Sequence, residues 1–508
     1  TVDNPFVITF PDDIAWRGVI TSVTINGTLL TAGYAFAAGT LTLTPSLSAP
    51  LNLLQTAGTK VVRVFATGYN STACNQPIAA GVAAQLVITT QPTAPSINGL
   101  ALGAQPVVSI RDQYGNQTAS TASVVATTSG GTWVMTGTTT LNAVAGVVTY
   151  TGLTAGTADG LALATATITF TSGSLTVTSS PAFTIPQYSS ATTDYFRSKN
   201  TGDWASISSW QSSPDGITYF DAFGPNGFPT SAAANTIIQA IHIITINDAA
   251  TSVGNCTLNG RLLLNSGVSS TLTLGSGKTM NVNGIFENQS SNTASIIVAG
   301  ATLNFNSGSY YTLSLAARQI PAATWNVNST VEVGGGLSGG NLTTVGGSVY
   351  GNFIVSSGAD ITGTLVLFTP NTGQQRIAGN LTISYTNTGT VQLISSGGTN
   401  ILAIDGNYTQ TSGIVTMNPS SYSTTTFRTM TVQGNFSLDN GTFNISTNTT
   451  EGSFCNLILK GNFSANNAVI QNTSAVGTGV GFATIQFAGT NQTYSWTGTR
   501  SILGANNK

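Results

Sequence analysis

The stretch Ile404-Asp405-Gly406-Asn407-Tyr408-Thr409-Gln410 returns as Val432-Gln433-Gly434-Asn435-Phe436-Ser437-Leu438 and again as Leu459-Lys460-Gly461-Asn462-Phe463-Ser464-Ala465. Two earlier copies keep the same centre, Gly351-Asn352-Phe353 and Gly379-Asn380-Leu381, so the glycines recur at a nearly constant step. Gly489 extends the series at the same step, with Thr490 in the asparagine position. A fixed period in this range marks stacked structural units. Apolar residues inside each unit alternate: Val349, Ile377, Ile404, Val432, Leu459 and Phe487 stand two before the glycine, and Leu402, Met430, Leu457 and Ile485 four before it. The pairs Val391/Leu393, Val415/Met417 and Phe443/Ile445 repeat the pattern in a second strand. A spacing of two places these side chains on one face of a strand and excludes helical hairpins, whose spacing is 3.6. One such unit cannot bury its own apolar face, but stacked units can, with parallel strands about 4.8 Å apart. The fold expected over 237–508 is a right-handed parallel β-helix with coils of about 27–28 residues. The segments 258–267, 282–289 and 298–308 read as shortened or inserted coils, for roughly ten coils and about 45 Å of stack at that spacing.

The paired positions Gly351/Asn352, Gly379/Asn380, Gly406/Asn407, Gly434/Asn435 and Gly461/Asn462 are read as a structural ladder. Glycine, and asparagine more readily than most residues, takes the positive φ that a corner can need. Stacked amides can bond from coil to coil, and the aromatic that follows can fill the core. The competing reading, a row of asparagines that holds a ligand, is the weaker one.

Composition narrows the rest. Of 508 residues only 30 are charged, 6%, with a net charge of −2. No basic surface exists for nucleic acid or an anionic membrane, and no run of about 18 apolar residues could span a bilayer. One His and three Cys (Cys74, Cys256, Cys455) cannot build a His/Cys metal cluster or a disulfide framework. Neither a cofactor nor a metal is expected. A chain solubilised by hydroxyls and amides suits an extracellular surface protein. Thr1 without a Met or leader suggests a removed targeting segment or a piece of a longer protein.

Segment 1–80 alternates as a small β-sandwich, and Asn26-Gly27 is a strong hairpin signal. Ala15-Trp16-Arg17, "ITSVTINGTL" (20–29), Gly39-Thr40-Leu41-Thr42-Leu43 and "AGTKVVRVFATGY" (57–69) resemble the Ig-like repeat of bacterial surface proteins called haemoglobin-interacting. The resemblance implies haem or haemoglobin binding in some members only. Without His or Met here, Tyr34, Tyr69 and Cys74 are the conceivable haem ligands, and a packed sandwich is the favoured reading. In segment 81–187, "QPVVSIRDQYGN" (105–116), Gly137-Thr138 and "GVVTYTGL" (146–153) resemble the invasin-like Ig domains of bacterial adhesins. Asp112 sits in a turn and alone is no calcium site.

Pro181 to Ser190 reads as a linker, and 188–236 as linker plus a β-helix cap carrying Trp204 and Trp210. "TGDWASISSWQSSPDG" (201–216) resembles the opening of β-helical regions in large secreted proteins of Bacteroidota. His242, the single histidine, falls in a strand-like run and is read as structural. A β-helix can carry polysaccharide lyases or hydrolases, which need converging acids. Relative to the repeat glycine, Asp405, Asp439, Asp360 and Glu451 fall in four different registers, and Asp203, Asp215 and Asp221 read as turn residues. No catalytic residue is assigned and no enzyme is expected. The function expected is a non-enzymatic extracellular or cell-surface protein, an adhesin stalk or filament subunit on a rigid β scaffold. The resemblances imply the outer-membrane exterior and type IX export. Partners expected are another copy end to end or a larger parent chain, and a glycan or surface ligand. The alternative is a polysaccharide-binding or polysaccharide-degrading β-helix protein.

Overall fold

A computed structural model describes the whole chain except residues 47–50, 268, 316, 344–347, 369–373, 395–397, 419–425, 448–453, 473–481, 500 and 505–508. The chain is all-β and forms two compact units, Thr1–Tyr188 and Ser189–Lys508.

The first unit contains two Ig-like sandwiches with separate cores. In the first, Phe6–Thr9, Thr40–Leu43 and Tyr34–Ala37 form one antiparallel sheet, and Thr28–Leu29, Ile20–Ile25, Gly58–Ala66 and Thr72–Ile78 form the other. Alternation in Gly58–Ala66 buries Val62 and Val64 against Leu41 and Leu43 of the facing sheet. Asn26 and Gly27 hold φ of 49° and 84° in the two-residue turn that pairs Ile25 with Thr28, the geometry a right-twisted hairpin favours. The second sandwich packs Val108, Ile110 and Val148 of a three-stranded sheet against Val124, Ile168 and Phe170 of the other. Buried Tyr150 ties the sheets together by donating to the Val124 carbonyl at 2.9 Å. Phe183–Ile185 is a strand here, paired with Leu163–Ser172, and Phe183 and Ile185 are buried. The Pro and Ser content that reads as a linker is thus overridden by two core side chains.

The turn 112–116 joins the two sandwiches. Asn116 Oδ1 accepts from Ala57 N–H at 2.9 Å and Asn116 Nδ2 donates to the Gln55 carbonyl at 2.8 Å. Asp112 Oδ2 accepts from Gly81 N–H at 2.8 Å, while Asp3 accepts from Val82 N–H and Gln113 Nε2 at 2.7 and 2.9 Å. The connecting segment is held from both sides by carboxylates whose charge is satisfied by N–H donors.

The second unit is a parallel β-solenoid. A twelve-stranded sheet runs through it, flanked on one side by sheets of eight and six strands and on the other by sheets of three and seven. One coil reads Thr426–Val432, Phe436–Asp439, Thr442–Ser446, and the next reads Phe454–Leu459, Phe463–Asn466, Val469–Asn472. In the long sheet the inward residues Ile244, Leu262, Phe286, Tyr311, Val331, Phe353, Leu381, Tyr408, Phe436, Phe463 and Tyr494 pair in sequence. Their numbers advance evenly only from Phe353 to Phe463. Before Phe353 the steps are shorter and unequal, and the step from Phe463 to Tyr494 is longer. The regular period therefore belongs to the middle of the stack alone. Parallel pairing demands register in the strands only, so the length of the exposed corners is free to vary. The same freedom displaces the sixth copy of the motif: Tyr494 pairs with Phe463, and Thr493, not Thr490, occupies the place after Asn462.

The segment before the first long-sheet coil is part of the stack. Tyr195–Ser198 pairs in parallel with Asn235–Ile238, and Gly202–Asp203 with Ile243–Ile246. Trp204 and Trp210 are buried, edge to face at 5.2 Å, in the same core as Ile244 and Leu262. Their indole N–H groups donate to the carbonyls of Pro229 and Trp204 at 2.9 and 2.7 Å.

Candidate functional site

The repeated Gly-Asn positions lie at the corner that enters the long sheet. Asn352 Oδ1 accepts from the backbone N–H of Asn380 at 2.9 Å, Asn380 from Asn407 at 2.8 Å, Asn407 from Asn435 at 2.8 Å, and Asn435 from Asn462 at 3.0 Å. Asn462 Oδ1 ends the row on Thr493 N–H at 3.0 Å. The links run from side chain to backbone, joined by an amide-to-amide bond from Asn380 to Asn352 at 3.3 Å. Each oxygen of the row thus spends at least one of its two lone pairs on the next coil. None of Gly351, Gly379, Gly406, Gly434 and Gly461 has a positive φ, and neither do their asparagines. Glycine is needed there for a different reason: a Cβ on Gly434 would stand 2.5 Å from Asn407 Oδ1 and 2.6 Å from the Gly406 carbonyl. The left-handed residues occupy the next corner instead, at Gly413, Asn440, Gly441, Asn467 and Gly498.

The other candidate lies on the first sandwich. Asp13 caps the short helix Ile14–Arg17 by accepting from Ala15 and Trp16 N–H at 2.8 and 3.1 Å, and Asp12 pairs with Arg17 at 3.0 Å. These contacts set Trp16 edge to face with Phe10 at 5.2 Å and with Phe36 at 6.3 Å. Beside this cluster is an apolar cleft of about 180 Å³, reached past Thr72 and Cys74 and floored by Val62 and Val64. It is smaller than the roughly 300 Å³ at which small-molecule sites begin, and suits one side chain of a protein partner better than a cofactor. Of the conceivable haem ligands, Cys74 stands exposed at this rim and Tyr34 packs on Phe36, while Tyr69 is exposed after the Gly68 turn and does not line the cleft. The three do not converge.

The remaining polar candidates are committed locally. Ser198 Oγ accepts from Gln239 N–H and shares a hydrogen bond with His242 Nδ1 at 2.8 Å, and His242 precedes the strand Ile243–Ile246 instead of lying in it. Asp215 Oδ1 accepts from Ser213 Oγ, Ile217 N–H and Thr218 N–H. Burial alone would raise its pKa, and these donors bring it below the ordinary value. Asp221 pairs with Lys199, whose bond lowers its pKa, and Asp203 accepts from Asn247. Asp405 pairs with Arg376 at 2.6 Å, Asp439 accepts from Asn466 and Asp360 from Asn387. Glu451 lies outside the described residues. Burial pushes the thiols of Cys256 and Cys455 up to about 12, which makes them inert. Among the described residues no group of three His, Cys, Asp or Glu could hold a metal, and no helix is long and apolar enough to cross a membrane.

One pair of acids aligns outside the late repeat. Glu287 and Glu332 share a column of the long sheet with Thr312 between them. The two coils that separate them differ in length, so no fixed period could reveal the pairing.

With this geometry in hand, comparison with known proteins adds one specific likeness. Residues 1–79, the first sandwich, match the family described as "Heme-binding protein Shr-like, Hb-interacting domain". No curated protein matches the chain. Among solved structures, a β-glycosidase from Bacteroides vulgatus is 11% identical over 34% of this chain and 24% of its own, with a TM-score of 0.17. Invasin, a bacterial integrin-binding protein, is 16% identical over 43% of this chain and 44% of its own, with a TM-score of 0.18. The chain thus spans about a quarter of the glycosidase and less than half of the invasin, and likeness at these scores carries no argument.

Proposed function

We propose that the chain is a non-enzymatic extracellular surface protein whose first sandwich docks a protein ligand of the haemoglobin kind and whose solenoid is the scaffold. The observation that carries this reading is the coincidence of the matched region, 1–79, with a sandwich that holds an aromatic cluster beside a cleft of side-chain size. The scaffold half of the reading rests on the chemistry of the stack. Its apolar residues and corner amides are consumed by coil-to-coil contacts, and Asp405, Asp221 and Asp215 are ion-paired or bound in a turn.

The test is biolayer interferometry of the full chain against immobilised haemoglobin, with Thr72→Glu as the variant. Thr72 is exposed at the cleft rim, so the substitution places a charge in the cleft without removing core. Binding by the native chain, weakened at least about tenfold by the variant at an unchanged melting temperature, supports the reading. Absence of binding, or equal binding by both, contradicts it.

A further inference from the structure

The flanks of the solenoid do not run its whole length. On one flank, Thr324–Trp325 pairs backward with Asn304 and Phe305 and ends the eight-stranded sheet. In the next coil Val349–Tyr350 pairs forward with Arg376 and Ile377 and begins the six-stranded sheet. Among the described residues no ladder joins these two strands. On the other flank, Ile296–Ile297 ends the three-stranded sheet and Gly340–Asn341 begins the seven-stranded one. Among the described residues the twelve-stranded sheet alone continues through both breaks.

What holds the coils together there is correspondingly thin. Gln319 fills the gap on the second flank with its side chain: Oε1 accepts from Ile296 N–H at 2.7 Å and Nε2 donates to the Ile296 carbonyl at 2.7 Å, the two bonds a neighbouring strand would have made. Gln319 then meets Thr343 in an isolated parallel bridge. From the coil of Trp325 to the coil of Tyr350, the ladder holds Thr330–Val333 against Asn352–Val355, and Gly340 and Asn341 against Leu365 and Val366. Gly339 and Gly340 have φ of 152° and 103°, values a regular strand does not use. In the core, Trp325 stacks flat on Phe305 behind it at 4.1 Å but lies tilted, 5.8 Å from Tyr350 ahead. Its indole Nε1 is buried with no acceptor among the described residues, an uncompensated loss of hydration. Later in the stack the contrast is plain, since Gly398–Ile404 pairs along its whole length with Thr426–Val432.

We propose that the solenoid is two cooperative stacks, one ending at the coil of Trp325 and one beginning at the coil of Tyr350, and that an opening in either stops at the seam between them. In a stack of repeats the coupling across each interface decides how far a local opening spreads. That coupling is weakest where a flank ladder is missing and a buried donor goes unpaired. The scaffold therefore loosens in one stack while the other stays folded, whatever the first sandwich binds.

Hydrogen exchange of the full chain in graded urea, read by mass spectrometry, tests it. Leu303 and Leu381 are buried on opposite sides of the seam. Leu381→Ala should speed exchange of Phe436–Asp439, two coils ahead, at least about tenfold, and leave Thr330–Val333, two coils behind, unchanged. Leu303→Ala should speed exchange of Arg261–Leu264, two coils behind, by the same margin and leave Asn352–Val355, two coils ahead, unchanged. Leu381→Val and Leu303→Val should show the same asymmetry with smaller changes, and they replace any alanine variant that does not fold. Equal effects two coils to either side of the altered leucine, or no spread to either side, overturn the proposal.

Discussion

At the scale of the residue, the corner glycine shows how a correct pattern can carry a wrong reason. The repetition of Gly406, Gly434 and Gly461 is plain in the sequence, but whether a glycine is kept for its φ or for closeness to a neighbour depends on the coil beneath, a full turn of the solenoid earlier in the chain. The carbonyl of Gly434 stands 2.3 Å from where a Cβ on Gly461 would be. Gly461→Ala should therefore lower stability by about 1–3 kcal/mol by forcing coils apart, measured by urea denaturation. Asn407→Ala leaves the Asn435 N–H without its acceptor and should cost about 1 kcal/mol, while Asn407→Asp keeps an acceptor and should cost less. Asp112 makes a prediction about acid. Burial would raise its pKa, but N–H donors from Gly81, Asn116 and Tyr114 outweigh that and hold it below the ordinary value. A carboxyl depressed in the folded state stabilises above the unfolded pKa, near about 3.9, and that contribution disappears as pH falls through the lower folded value. Asp112→Asn should therefore lower the melting temperature of the native chain at neutral pH and lose this difference below about pH 4.

At the scale of the element, the strands were legible because alternation is a local property, and the coil lengths were not, because corners are set by what the neighbouring coil leaves exposed. The long sheet tolerates a coil as short as that from Ile244 to Leu262 and as long as that from Phe463 to Tyr494, provided an inward side chain meets the one below. What it does not tolerate is a gap in that inward column. Phe436 is stacked 4.6 Å from Tyr408 and 5.9 Å from Phe463. Phe436→Ala should cost about 3–5 kcal/mol, seen as a lower denaturation midpoint. The strand Phe183–Ile185 was hidden for the opposite reason: Pro181 and the serines around it outweigh two apolar residues when local composition is the only guide, and tertiary burial reverses the balance.

At the scale of the whole molecule, each coil makes its contacts with its neighbours alone, so stability should be nearly a sum over coils. Deleting residues 406–433, one complete coil, places Gly434 directly after Asp405 and keeps every remaining column in register. The shortened chain should fold with an unchanged circular dichroism spectrum, whereas deletion of 406–419, half a coil, should abolish cooperative unfolding. The two-sandwich unit and the solenoid could both be read from sequence, since each follows from alternation and turn residues. The column shared by Glu287 and Glu332 could not, because unequal coils hide which residues align.

The central claim is that the coils are parallel and in register, and disulfide trapping tests it most directly. Ser437 and Ser464 are paired on adjacent strands, their hydroxyl oxygens 3.1 Å apart, and parallel neighbours at about 4.8 Å fall within the Cα range a disulfide spans. In a Cys74→Ser background, Ser437→Cys with Ser464→Cys should oxidise rapidly to an intramolecular disulfide, while Ser437→Cys with Asn466→Cys, two positions out of register, should not. Equal trapping of both pairs, or none of the first, would contradict the stack.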